Sequence, residues 1–139
     1  MVKIDHVAIT VGNLEEAVNF YSKILGFQIL KVKEKPELGV AYALLQAGQI
    51  ALEIVSPLER KPSRQEPIQE GLGGVVAKLC GRVGLNHVSL RVENLEEACE
   101  ELKGKGVNIL AEFKPTGGGS KLAFFADPEG NLIELVEKP

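Results

Sequence analysis

The sequence predicts an α+β fold made of two βαβββ modules, and two observations carry that expectation. First, the chain repeats itself. His6-Val7-Ala8-Ile9 and Asn13-Leu14-Glu15-Glu16-Ala17 return as His87-Val88-Ser89-Leu90 and Asn94-Leu95-Glu96-Glu97-Ala98. Leu52-Glu53-Ile54-Val55 returns as Ile133-Glu134-Leu135-Val136 under the same displacement of 81 positions (6 to 87, 53 to 134). Second, within each copy the apolar periodicity changes from two to 3.6 and back to two, the signature of a strand, a helix and further strands. At 139 residues the chain is long enough for one substantial core, shared between the two halves.

The first module opens with a strand at about Lys3 to Val11, followed by a helix from Leu14 to about Leu25. Asn13 is an N-cap and Glu16 completes a capping box, while Leu14, Ala17, Val18, Tyr21 and Leu25 form the apolar stripe. Gly26 stops the helix. Three β-rich stretches follow, about Phe27 to Glu34, Val40 to Gln46 and Ile50 to Ser56, separated by Pro36–Gly39 and Ala47–Gln49. Module one is placed at 1–57, an inter-module linker with a modest helix within Glu66 to Cys80 at 58–82, and module two at 83–139. The second module reads as a strand from about Gly84 to Val92, a helix from Leu95 to Lys105, and strands near Val107 to Phe113, Lys121 to Ala126 and Asn131 to Glu137.

Strand alternation fixes which way the side chains face. Val7, Ile9 and Val11 form one row and His6, Ala8 and Thr10 the other; in the copy, Val88, Leu90 and Val92 oppose His87, Ser89 and Arg91. The apolar row packs beneath the helix, so both histidines face the opposite side. Glu53 and Glu134 each stand between apolar neighbours, where a carboxylate needs water, a partner or a metal.

Composition excludes several functions. A formal charge of -3 with mixed signs, and no basic stripe interleaved with aromatics, gives no footprint for nucleic acid. No apolar run is long enough for a membrane span and no signal peptide precedes the first strand, so the expected address is the cytoplasm. Cys80 and Cys99 are too few for a disulfide framework, and Cys99 fits the helical core stripe with Leu95, Ala98 and Leu102.

The two histidines are the only ones in the chain, and they repeat in register together with two glutamates. Imidazole nitrogen with carboxylate oxygen suits a divalent first-row metal such as Co, Ni, Zn, Mn or Fe, with positions left open for substrate. The plain alternative makes the histidines packing residues and the glutamates solubilising ones. Arg91, on the histidine face, is a candidate anchor for a substrate carboxylate or phosphate, with Ser89 and Tyr42 as further substrate contacts; a structural salt bridge and simple packing are the alternatives for Arg91 and Tyr42. Gly117-Gly118-Gly119 reads as a flexible hairpin.

The chain resembles the vicinal oxygen chelate superfamily, which includes glyoxalases, bleomycin-resistance proteins and extradiol dioxygenases. The resemblance rests on His6-Val7-Ala8-Ile9, on the segment Asn13 to Tyr21 leading to Leu25-Gly26-Phe27, and on Phe124 to Glu134 with its Asp127-Pro128-Glu129-Gly130-Asn131 turn. It implies paired βαβββ modules forming a U-shaped, eight-stranded cleft, a homodimer, and one divalent transition metal (Co, Ni, Zn or Mn) held by His6, Glu53, His87 and Glu134. The implied chemistry is stabilisation of an enolate or enediolate while Glu134, or Glu53 by pseudo-symmetry, moves the proton.

Within the superfamily, the glutathione-dependent glyoxalase I enzymes carry an Arg late in the first strand and an Asn shortly after the first glutamate, where this chain has Thr10 and Pro57. Methylmalonyl-CoA epimerases fit better at Glu34 to Val40, Glu53 to Leu58, Gly81 to His87 and Pro115 to Gly119. They place a second acid/base where this chain has Tyr42, and a His-His pair where it has Asn86-His87. The expectation is a metal-dependent isomerase or lyase acting on a small molecule such as an acyl-CoA. The alternatives are a lactoylglutathione lyase and a non-catalytic, resistance-type binding protein. Extradiol dioxygenases and fosfomycin-type thiol transferases use three ligands and fit the four-residue set less well.

Overall fold

A computed structural model describes residues 1–139. The chain divides into two compact units, Met1–Arg64 and Gln65–Pro139.

The first unit runs β1 (His6–Thr10), α1 (Leu14–Asn19), β2 (Gln28–Lys35), β3 (Val40–Ala47) and β4 (Ile50–Pro57), in the sheet order β1-β4-β3-β2. β1 is parallel to β4, and the other neighbours are antiparallel. The strand expected from Lys3 begins only at His6, whose partner on β4 is Ala51. α1 starts as its sequence demands, with the Asn13 side chain accepting from Glu16 N at 3.0 Å. The Glu16 carboxylate itself reaches Arg64, at 2.7 Å.

The expected helix to Leu25 does not stay α-helical: Phe20–Ile24 form a wider π turn, with Leu25 N bonded to Phe20 O. Ser22 Oγ donates to Val18 O at 2.6 Å, a side-chain back-bond of the kind that bends helices. Gly26, at φ 79°, then turns the chain back so that Phe27 N reaches Tyr21 O. Tyr21 is thereby packed edge-on against Phe20 and tilted against Phe27, with ring centroids 5.3 and 5.6 Å apart. With Val11, Ala17, Leu45, Leu52 and Ile54 these rings fill the core between helix and sheet. Each fully buried apolar side chain contributes about 1.5–3 kcal/mol.

The second unit repeats the topology: β5 (His87–Arg91), α3 (Leu95–Gly104), β6 (Ala111–Phe113), β7 (Lys121–Ala126) and β8 (Leu132–Glu137), in the order β5-β8-β7-β6. The helix between the two repeats, α2 (Leu72–Cys80), belongs to this unit. Asn94 caps α3 by accepting from Glu97 N at 3.0 Å, and Glu137 Oε2 accepts from Leu95 N at 2.7 Å. That backbone bond, helped by Lys121, holds the Glu137 carboxyl below the usual carboxylate range. β6 is shorter than expected because residues 107–110 are spent elsewhere. Val107 N closes the end of α3 on Leu102 O, and Leu110 bonds both Phe124 O and Gly71 N. Cys99 is buried in the α3 core, as its spacing predicted, and burial pushes its thiol pKa up.

α2 lies on the other face of the second sheet. Val75, fully buried, packs with Ala111, Phe124 and Leu132, and Leu79, Leu110, Leu122 and Ile68 pack around them. Gly74 is part of its fit: a Cβ there would stand 2.0 Å from the Gln69 carbonyl oxygen.

The two sheets differ at one hairpin. The Gln46↔Ala51 pair encloses residues 47–50, whereas Ala126↔Leu132 encloses 127–131, one residue more. The longer turn is tied by Asp127, whose Oδ1 accepts from the backbone N–H of Glu129 and Asn131 at 2.9 and 2.8 Å. Its Oδ2 accepts from Asn131 Nδ2.

Candidate metal centre

In each unit the parallel strand pair brings one histidine and one glutamate onto the same face. Ala8 lies opposite Glu53 and Ser89 opposite Glu134, two residues along from His6 and His87. The expected facing holds: His6, Ala8 and Thr10 are exposed while Val7 and Ile9 are more buried, and β5 alternates likewise. His6 Nε2 stands 3.6 Å from Glu53 Oε2, and His87 Nε2 stands 3.9 Å from Glu134 Oε2.

The residue before each histidine controls its ring. Asp5 Oδ2 lies 2.7 Å from His6 Nδ1, and since a carboxylate only accepts, Nδ1 carries the proton and donates. This hydrogen bond, with Glu53 and the Asp5 charge adding to it, raises the His6 pKa above its ordinary value. In the second unit Asn86 Nδ2 donates to Leu79 O at 3.0 Å, near the end of α2. The amide oxygen is thereby directed at His87 Nδ1, 2.5 Å away, which must donate. In both units the Nε2 lone pair is left facing the glutamate. A metal-binding histidine uses this arrangement, its second nitrogen held by a carboxylate or carbonyl acceptor. The sequence expectations did not include these ring-orienting roles for Asp5 and Asn86, although the two residues sit at equivalent positions of the repeat.

These donors suit a divalent cation. Nitrogen and oxygen ligands bond such ions at about 2.0–2.2 Å, so donor atoms 3.6 and 3.9 Å apart can each share one ion. The side chains gather as pairs, and no group of three or more His, Cys, Asp or Glu forms a metal-binding cluster. Each unit therefore presents two donors of its own.

The pairs are not equivalent. Ser89 Oγ donates to Glu134 Oε1 at 2.6 Å, whereas the matching position beside Glu53 is Ala8. Arg91 is exposed two residues beyond Ser89 on the same face. In the first unit, His6 and Glu53 line an open cavity of about 310 Å³, together with Tyr42, Leu44, Val55 and Lys31. Tyr42 lies opposite Val55, and the Lys35 ammonium stands 5.3 Å from its ring centroid.

Two four-stranded mixed sheets of one βαβββ topology, each carrying a histidine–glutamate pair on its strand face, define a duplicated glyoxalase-like protein. The family model described as Glyoxalase/Bleomycin resistance protein/Dioxygenase superfamily matches residues 3–135, and the chain belongs to that superfamily. It is 32% identical over 135 residues to lactoylglutathione lyase of Escherichia coli O157:H7, covering 96% of this chain and 90% of that protein. It is also 32% identical over 138 residues to the mitochondrial methylmalonyl-CoA epimerase of Homo sapiens, covering 97% of this chain and 73% of that one. Among solved structures, a glyoxalase family protein from Enterococcus faecalis superposes with a TM-score of 0.76 at 30% identity, covering 97% of both chains. These relatives include a lyase and an epimerase, so the chain's function is of the glyoxalase/epimerase type at the superfamily level. No helix is long and apolar enough to cross a membrane.

Proposed function

We propose that the protein is a metal-dependent isomerase or lyase that stabilises an enolate, most like a methylmalonyl-CoA epimerase. The observation that carries this is the matched histidine–glutamate geometry, with each imidazole's Nδ1 proton already committed and each Nε2 facing a carboxylate. His6, Glu53, His87 and Glu134 form the donor set, two from each half. When bound there, a divalent cation such as Co, Ni, Zn or Mn would supply Lewis-acid polarisation of a substrate carbonyl.

The chain's own groups do the rest. Glu134 or Glu53 takes and returns the proton on the carbon next to that carbonyl. The Ser89 hydroxyl holds one oxygen of Glu134 and leaves the other facing His87. Arg91, Ser89 and Tyr42 contact the substrate, a small molecule of the acyl-CoA kind. The same reading makes the protein a cytoplasmic homodimer.

The test is solvent exchange. Zinc-, nickel- or cobalt-loaded protein in D2O should incorporate deuterium into methylmalonyl-CoA next to the thioester, and Glu134→Gln should abolish this. The identity to lactoylglutathione lyases favours a second reading. Turnover of the methylglyoxal–glutathione hemithioacetal without exchange into the thioester would select it. Stoichiometric metal retained by both Glu53→Ala and His87→Ala would refute the donor set, and binding of small ligands without turnover would place the protein with the resistance-type binders.

A further inference from the structure

We propose that Lys31 and Lys35 form an anion-recognition wall in the first unit's cavity, selecting a short carbonyl compound that carries a carboxylate or phosphate at its far end. This rests on the metal reading above for the carbonyl end only. β2 reads Gln28-Ile29-Leu30-Lys31-Val32-Lys33-Glu34-Lys35, and alternation sends Lys31, Lys33 and Lys35 to one face. That face is the one with the candidate metal ligands. Lys31 lies opposite Leu44, Leu44 opposite Glu53, and Glu53 opposite Ala8, so Lys31 and Glu53 lie two strands apart in the same cross-strand row. Two strand spacings separate their Cα atoms, roughly 10 Å, and a flexible four-carbon stem carries the ammonium back over the cavity.

The cavity's charges are unequally committed. Its two carboxylates, Asp5 and Glu53, both face the His6 ring. The lysine ion pairs of the chain are made by Lys103, Lys105, Lys114 and Lys121, all in the other unit. Lys35 is held over Tyr42 by a cation–π contact, which leaves its N–H donors available to a ligand. Leu44 lies between Lys31 and Glu53, and with Leu38, Val40 and Val55 it gives the cavity an apolar lining for a short hydrocarbon segment.

Lysines on an edge strand also discourage edge-to-edge aggregation. That purpose alone does not explain their distribution. Val32, on the opposite face of β2, is 53% exposed, so the strand shows apolar surface on that side and gathers its lysines on the side of the candidate ligands.

The experiment is calorimetric titration of the full-length, metal-loaded protein with glutarate as the carboxylate probe and pyrophosphate as the phosphate probe. The wild type should bind at least one dianion, more weakly as salt is raised. Lys31→Gln/Lys35→Gln should weaken that binding at least tenfold, while Lys33→Gln, outside the cavity lining, should change it less than twofold. Whichever dianion binds identifies the anionic group. Equal binding by wild type and double variant, or no binding of either dianion to the wild type, overturns the proposal. Metal titration of the same samples separates the two readings. Lysine-dependent anion binding by a protein that takes up no metal would sink the metal centre and leave the wall standing.

Discussion

Ser89 and Glu134 are joined by a 2.6 Å hydrogen bond that the duplicated half cannot make, because Ala8 stands where Ser89 would be, opposite Glu53. The duplication has thus kept both carboxylates but restrained only one of them by a neighbouring hydroxyl. Ser89→Ala should lower metal affinity by about tenfold, within the range found when outer-shell partners of metal ligands are removed. A competition titration against a chromophoric chelator measures this. Ala8→Ser, by contrast, should not weaken binding; equal affinity in Ser89→Ala and wild type would show that the hydroxyl does not position Glu134.

Asn86 bridges the Leu79 carbonyl and the His87 ring, so it ties the orientation of one candidate ligand to the end of α2. Asn86→Ala frees the ring and leaves the carbonyl without its donor, at a stability cost of about 1 kcal/mol. Metal affinity should fall by about tenfold as well. Chemical denaturation and metal titration together separate the two effects, since loss of stability alone would leave affinity unchanged.

The raised pKa of His6 gives a pH signature. Its first cause is the hydrogen bond to Asp5, which favours the charged imidazolium in the folded protein. A raised folded-state pKa contributes stability that is fully present below the unfolded value of about 6.5 and is lost as pH rises through the folded value. In metal-free protein the His6 ring protons, followed by NMR, should titrate above that reference. Asp5→Asn should bring the midpoint down toward it, and an unchanged midpoint would remove Asp5 as the cause.

Gly74 is irreplaceable for steric reasons. A methyl group there would meet the Gln69 backbone at 2.0 Å, and backbone cannot swing aside as a side chain can. Although alanine is the better helix former, Gly74→Ala should destabilise the second unit by about 1–3 kcal/mol, the usual cost of overpacking. Thermal unfolding would show this as a lowered midpoint, whereas Gly73→Ala, with open space at its Cβ, should not lower it.

The βαβββ element order and the facing of the histidines were legible because strand alternation and the repeat at an 81-residue displacement are sequence signals that tertiary packing reinforced. The helix cap at Asn13 was equally plain, and the repeat places Asn94 at the equivalent position, where it supplies the same acceptor to its helix's first turn. The π turn was hidden: nothing in the spacing of Phe20–Ile24 separates it from an ordinary last helical turn, and its causes are a serine back-bond and the packing of Tyr21. α2 was visible as a modest helix, but its burial of Val75 against Phe124 and Leu132 depends on residues about fifty positions away. The ring-orienting roles of Asp5 and Asn86 could have been suspected from their place immediately before each histidine. For Asn86, the decisive partner is a main-chain carbonyl, which carries no residue-specific signal.

The extra residue in the Asp127–Asn131 hairpin shows where the two halves of the fold accommodate a difference in length. An insertion inside β8 would have rotated every later side chain to the wrong surface, Glu134 among them. Lodged in the bend, it shifts only the alignment of β7: Glu53 faces Leu44 and Glu134 faces Phe124, a displacement of 80 rather than 81. The parallel pairing of β5 with β8 kept its inherited alignment. That bend is itself buried at Asp127 and Glu129 and clamped, with Gln65 N donating to the Glu129 carbonyl, so the added residue is locked in place rather than left as a free loop while His87 and Glu134 stay side by side.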